Sequence, residues 1–523
     1  MTRRVMLLAV LVGALLAGQG TAWAAWQAAG AGTGAGRATA LGTAPAPGVS
    51  VSGGDDVTVS IAQTSFKGQL LGAYSGGGWR VNRYDNAGTP QTQTSGSTCA
   101  GLVSGSAATL TCSEANVPEG NWRYAATPSL GAWRGTEGTR TSVTINTGAP
   151  TLVSLQAFDA NANGKIDQVV ATFSETLTTP YTAGTTPWTL TNVPSNGTLA
   201  SVAVSGASAT LTLNEGTGAA TTALGTFKVA LAANSGGIRD SVGNQASFAA
   251  TAPTDKAAPA RTAMDLRDID GNGRIDRVVL TFSETLAGYT AGTTPWTLAN
   301  VPSGGSLSSV SVSGTTATLT LNEGSGAKDT AVGSATVALA TSATGIRDSL
   351  GNLSSFAAAA PADLASPVGA AVAGNDGGGT VSRLQTGDAV VLTYSEAIVP
   401  GTVMSGWTGS STSVTVRVTN GNGSTSDSIT VRSGSTTLNL GTVDLGRNDY
   451  VSGGTVDFAG STMVMSGSTV TLTLGTPDRS DRITTAAGSG DLAWAPSAGA
   501  TDAAGNAALT TSVTEAGGSD RDF

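Results

Sequence analysis

Two stretches of the chain space oxygen-bearing side chains as calcium loops do. Phe158-Asp-Ala-Asn-Ala-Asn-Gly-Lys-Ile-Asp167 recurs as Arg267-Asp-Ile-Asp-Gly-Asn-Gly-Arg-Ile-Asp276. In the first, Asp159, Asn161, Asn163 and Asp167 stand at relative positions 1, 3, 5 and 9, with Gly164 at 6 and the Lys165 carbonyl at 7. In the second, Asp268, Asp270, Asn272 and Asp276 take those places, with Gly273 and the Arg274 carbonyl between them. Alternate short carboxylates and amides curl round one hard cation, and the Gly permits the sharp bend. Position 12 is Val170 or Val279, not the bidentate Glu of an EF-hand. Fewer charges mean weaker binding, so both loops are expected in the extracellular range of about 10⁻⁴–10⁻³ M, the second tighter than the first. The same residues also suit an Asx-rich turn closed by side-chain-to-backbone hydrogen bonds. In the third, diverged copy of the repeat, Gly374-Asn-Asp-Gly-Gly-Gly379 lacks the spacing, and no such loop is expected there.

A second set of acids recurs with the repeats. Phe173-Ser-Glu-Thr-Leu177 returns as Phe282-Ser-Glu-Thr-Leu286 and, altered, as Tyr394-Ser-Glu-Ala-Ile398. Asp240-Ser-Val-Gly-Asn244 is matched by Asp348 and Asn352, and by Asp502-Ala-Ala-Gly-Asn506. In a seven-stranded sandwich the loop after the second strand and the loop joining the last two strands share one end. That geometry brings Glu175 toward Asp240 and Asn244, Glu284 toward Asp348 and Asn352, and Glu396 toward Asp502 and Asn506. The groups fit a structural polar cluster or a cation site. Paired carboxylates also serve glycoside hydrolysis, but a catalytic pair has no need of three tandem copies.

Elements that position these loops are strands. Val169-Val-Ala-Thr-Phe173 and Ala209-Thr-Leu-Thr-Leu213 alternate apolar residues with Thr, the period of a half-buried strand. Further repeated segments, such as Ala183-Gly-Thr-Thr-Pro-Trp-Thr-Leu190 with Ala291-Gly-Thr-Thr-Pro-Trp-Thr-Leu298, share an offset of 108 or 109 residues, the size of one sandwich. The expected organisation is a signal at 1–24, a Gly/Ala-rich arm at 25–47, a distinct domain at 48–147, repeats at 148–257 and 258–365, a diverged third repeat at 366–515 and a tail at 516–523. The third repeat carries an insertion around Gly401–Gly467. The fold class is all-β: tandem sandwiches strung like beads. Trp188 and Trp296 sit in apolar alternation and read as core; Trp407 and Trp494 are candidates for ligand stacking.

Composition narrows the chemistry further. The 523 residues contain no His, which removes Ser-His-Asp machinery and His-ligated zinc. A net charge of −9 without basic clusters argues against nucleic acid. Hydrophobic residues make up 40% and alternate with polar ones, unlike a disordered chain. Met1-Thr-Arg-Arg followed by an apolar run to about Leu16 and by Ala22-Trp-Ala24 reads as a secretory signal cleaved after Ala24. No membrane span is expected in the mature chain. In an oxidising compartment Cys99 and Cys112 are expected to pair, closing a small loop worth roughly 3 kcal/mol.

The Phe-Ser-Glu … Ile-Arg-Asp-x-x-Gly-Asn framework, from about Gly148 to Thr514, resembles the bacterial immunoglobulin-like domains of secreted and surface-layer-type proteins. The 48–147 domain resembles a fibronectin type III module: Trp79-Arg-Val-Asn-Arg-Tyr84 looks like its third strand and Tyr124 like its sixth-strand tyrosine. These resemblances imply spacer, adhesion or matrix roles. The expected function is an exported, noncatalytic surface or matrix scaffold stiffened by Ca2+. Its expected partner is a cell-envelope component: a polysaccharide or a surface protein. The alternative is a carbohydrate-binding or adhesive module that uses Trp407, Trp494 and the insertion of the third domain.

Overall fold

The computed structural model describes residues 40–519 and 521–523. The expected signal at 1–24 and most of the expected arm at 25–47 lie outside the described residues. The chain divides into two units. Among the described residues, one comprises 40–149 together with Arg239–Asn244; the other comprises Pro150–Ile238 and Gln245–Phe523.

The first unit is a sandwich. Gly48–Ser52, Asp56–Ala62 and Thr109–Glu114 form one sheet; Pro90–Gln91, Gly77–Tyr84, Gly120–Leu130 and Thr141–Ile145 lie in the other. Alternation builds it: Val57, Val59 and Ile61 point inward to meet Trp79 and Tyr124, and all five are fully buried. The Cys99–Cys112 disulfide joins Cα atoms 5.0 Å apart. Glu114 is buried with its carboxylate paired: Arg83 (2.7 Å) and the Tyr124 hydroxyl (2.8 Å) both donate to it. The domain begins earlier than its sequence suggests. Leu41 and Ala44 belong to its core, and Ala44 N–H donates to the Thr136 carbonyl.

In the second unit, each close repeat has a sheet of four antiparallel strands plus a short parallel one, facing a sheet of three. In the first repeat the larger sheet runs Thr198–Ser205, Ser208–Asn214, Gln168–Phe173, Leu152–Phe158, Thr254–Asp255. The smaller runs Trp188–Thr191, Lys228–Leu231, Phe248–Thr251. The second repeat copies both sheets strand for strand. Four-plus-three sheets in this order are those of a constant-type immunoglobulin sandwich. Trp188 and Trp296 are core residues, each donating its indole N–H to a tyrosine hydroxyl, Tyr181 or Tyr289.

The third repeat departs from this plan. Its insertion supplies the strands Thr412–Thr419, Ser428–Ser433 and Thr442–Asp444, which join the two sheets into one continuous ladder. The tail is not a free end of this domain: Phe523 is buried in its core and its carbonyl accepts the Arg383 N–H.

Candidate cation sites at the two ends of the repeats

The two ends of each close repeat carry different acids. At one end lies the loop between the first two strands. In 268–276 the Asp268 carboxylate accepts the N–H groups of Gly271 (2.9 Å) and Gly273 (2.7 Å), which bends the loop. Gly273 has φ of 91°, a conformation that a side chain would strain. Asp268, Asp270 and Asp276 bring carboxylate oxygens within 4.8 Å of one another. Burial lifts Asp268 and Asp276 above the usual carboxylate range, and the Asp270 charge adds to it. A fourth acid arrives from outside the loop: Asn272 donates to both oxygens of Glu323 (3.0 and 2.9 Å), just past the strand Thr316–Asn322.

The equivalent loop of the first repeat is held by amides. Asn161 and Asn163 both donate to Glu215 (2.7–2.8 Å) and hold its carboxylate below the usual range. Asp159 accepts the Asn163 and Gly164 N–H groups, and Asp167 accepts that of Ala160. Lys165 and Arg274 reach across to the Gly216 and Gly326 carbonyls, so both side chains tie the loop to its neighbour.

Acids at the other end belong to two repeats at once. Glu284 follows the strand Arg277–Phe282, and Asp348 opens the last hairpin of the same repeat. Asp255, which completes the cluster, ends the preceding repeat; the three carboxylates approach within 4.8 Å. Asp363, Glu396 and Asp502 repeat the arrangement one domain on. Thr222 of the first repeat donates to Glu284 (2.7 Å) and contacts Ser283 (2.7 Å); Thr330 does the same for Glu396 and Ser395 (both 2.6 Å). Each hairpin Asp is itself an anchor. Asp348 accepts the Leu350 and Asn352 N–H groups and the Asn352 amide (2.7–2.9 Å). Asp502 holds Asn506 through its N–H and its amide (2.8 and 2.7 Å).

Removal from water is the largest perturbation of Glu284, Glu396, Asp255 and Asp363. Glu284 and Glu396 are each only 7% exposed. Burial, reinforced by the neighbouring Asp charges and opposed by the threonine bond, pushes Glu284 up to about 7 and Glu396 up to about 8. Burial raises Asp255 to about 6, with Asp348 adding to it, and Asp363 moves the same way. Burial and mutual repulsion thus favour the protonated or cation-bound form of Glu284 and Glu396.

The earliest copy of this hairpin differs. Asp240 gathers the N–H groups of Val242, Gly243 and Asn244 (2.8–3.0 Å), more than either later counterpart. Its neighbour is an amide, Asn146, which donates to Asp240 at 3.0 Å. Glu175 follows the strand Gln168–Phe173 and belongs to the second unit.

The structure corrects the stacking role expected of Trp407 and Trp494. Trp407 is 6% exposed and Trp494 is fully buried. The insertion strand Thr442–Asp444 pairs with Ala493–Ala495, which draws Trp494 inside, edge-on to Tyr394 at 4.7 Å. Both indole N–H groups are spent on backbone carbonyls, those of Ser410 and Leu440. Sequence reasoning missed Asp255, Asp363, Glu215 and Glu323. The last two lie in the duplicated Leu-Thr-Leu-Asn-Glu-Gly segment, and an acid that recurs in both copies was the available signal.

No family model matches the chain, and no curated protein matches it. Among solved structures, the FN1-FN3 domains of chicken CNTN1 match 61% of this chain and 98% of their own length, at 7% identity and a TM-score of 0.22. Among the described residues no helix is long and apolar enough to cross a membrane.

Proposed function

We propose that the protein is an exported, noncatalytic spacer or adhesion scaffold whose repeat junctions are stiffened by calcium. The observation that carries this reading is the convergence of three carboxylates, two buried and one half-buried, drawn from two consecutive repeats, at two successive junctions. Calcium takes six to eight oxygen ligands at about 2.3–2.6 Å. Asp255, Glu284 and Asp348 supply the charged part of such a shell, as do Asp363, Glu396 and Asp502. An ion held by both partners ties one repeat to the next, which is what a spacer requires and an enzyme does not. The loop 268–276, with Glu323 in place of the missing twelfth ligand, is the third site this reading assigns. The first-repeat loop, satisfied by its own amides, is the weaker one. The partner of the scaffold is a cell-envelope polysaccharide or surface protein.

Thermal unfolding and small-angle scattering of the full chain, in calcium and in chelator, test the reading. Calcium at a hundred times its Kd is expected to stabilise each occupied junction by about 2.7 kcal/mol and to narrow the distribution of interdomain distances. Identical melting and identical scattering in the two conditions would overturn it.

A further inference from the structure

The larger sheet of each close repeat ends in an uncovered strand: Thr198–Ser205 in the first, Ser306–Ser313 in the second. Both are eight residues long, TLASVAVS and SLSSVSVS, with neither charge nor proline. Open edges are normally blunted by Lys, Pro, brevity or strong bulges. Here a single register shift near Leu199 or Leu307 is the only irregularity. The inward residues Val202, Val204, Val310 and Val312 pack on their cores yet remain half-exposed.

The third domain shows what fits this edge. Its strand Thr455–Ser466 takes the same place: Met463 opposes Leu472 as Val202 opposes Leu211 and Val310 opposes Leu319. There the insertion lays Thr412–Thr419 antiparallel along the open side, from Thr412 opposite Met463 to Thr419 opposite Thr455. Met463 becomes fully buried. The covering strand, TSVTVRVT, alternates Thr or Ser with Val as the open edges do except at Arg417, which donates to both carboxylate oxygens of Asp457 on the covered strand (2.7 Å). This sandwich therefore accepts an antiparallel Ser/Thr/Val strand at this position.

We propose that Thr198–Ser205 and Ser306–Ser313 are docking edges for a second copy of this chain, paired antiparallel with the same edges of that copy. Main-chain hydrogen bonds supply the affinity, and the half-exposed valines are covered in the process. A second copy is favoured because the edges carry no charge to recognise a charged partner and because each edge shares the Ser/Thr/Val alternation of the strand that covers its counterpart, the Arg417–Asp457 pair apart. Two identical antiparallel edges form a two-fold contact. With two such edges per chain, one molecule can engage more than one neighbour.

Sedimentation velocity of the full chain over a wide concentration range, in calcium and in chelator, tests the proposal. The wild type is expected to associate with rising concentration in both conditions. Its amides in 198–205 and 306–313 should exchange more slowly as it does so. The double variant Ala203→Lys, Ser311→Lys alters only exposed side chains; it should melt with the wild type and lose at least tenfold in association constant. A wild type that stays monomeric throughout, a double variant that associates as well, or association confined to calcium would each overturn the proposal.

Discussion

Asn146, Asp255 and Asp363 occupy one position in three successive domains, four residues before Pro150, Pro259 and Pro367. The backbone does the same thing at each. The carbonyl accepts an amide from the hairpin Asn, namely Asn244 (3.0 Å), Asn352 (3.2 Å) or Asn506 (3.3 Å). Only the side chain differs. Asn146 donates to Asp240 and meets the acid's need with a neutral hydrogen bond. Asp255 and Asp363 are acceptors like their neighbours, so they add a carboxylate to an acid pair already out of water. One amide-to-acid exchange turns a self-satisfied hairpin into a cluster that requires a proton or a cation.

The comparison can be broken most forcefully at the anchor shared by all three hairpins. Asp502→Ala leaves the Asn506 N–H and side-chain amide without their acceptor and should cost about 2–3 kcal/mol in chelator, and more in calcium because a proposed ligand is lost with it, in thermal or denaturant unfolding; Asp348→Ala should behave alike. A loss seen only in calcium would show that the hairpin bonds are incidental. Next comes the exchange itself. Asp255→Asn with Asp363→Asn imitates Asn146, so it should raise stability in chelator while removing most of the gain from calcium. Calorimetry in both conditions reads the two opposite signs.

Smaller still is the response to pH. The folded-state pKa values of Glu284 and Glu396 lie near 7 and 8, above the ordinary glutamate value. The native state then holds protons that the unfolded chain has released. Their contribution to stability is complete below about pH 4 and is lost as pH rises toward 8. In chelator, stability should decline across that window; calcium or the double Asn exchange should flatten the decline. The least effect is expected at the loops. Asn161→Asp with Asn163→Asp should bring the first loop severalfold closer to the calcium affinity of the second, by titration calorimetry, and Glu323→Gln should weaken the second.

Much of this was legible in the sequence. Alternation of Val, Leu and Thr gave the strands, and the 108–109-residue offset gave the repeats. Sandwich topology brings Glu284 to Asp348, and Glu396 to Asp502. Reading each domain by itself hid Asp255 and Asp363, because their role depends on the next repeat folding against them. Glu323 was hidden for a related reason: its loop is distant in sequence and joins the 268–276 loop only across the sandwich end. Trp407 and Trp494 were misjudged because the insertion has no second copy in the chain, so nothing in the pattern showed which surface it would cover.

The central claim is that the two three-carboxylate clusters are calcium sites. Counting calcium bound to the full chain by equilibrium titration, wild type against the Asp255→Asn, Asp363→Asn variant, tests it most directly. The account predicts that the variant binds two fewer ions, one for each cluster. Equal stoichiometry in the two proteins, or no binding by the wild type at millimolar calcium (~10⁻³ M, the weak end of the extracellular range), would contradict it.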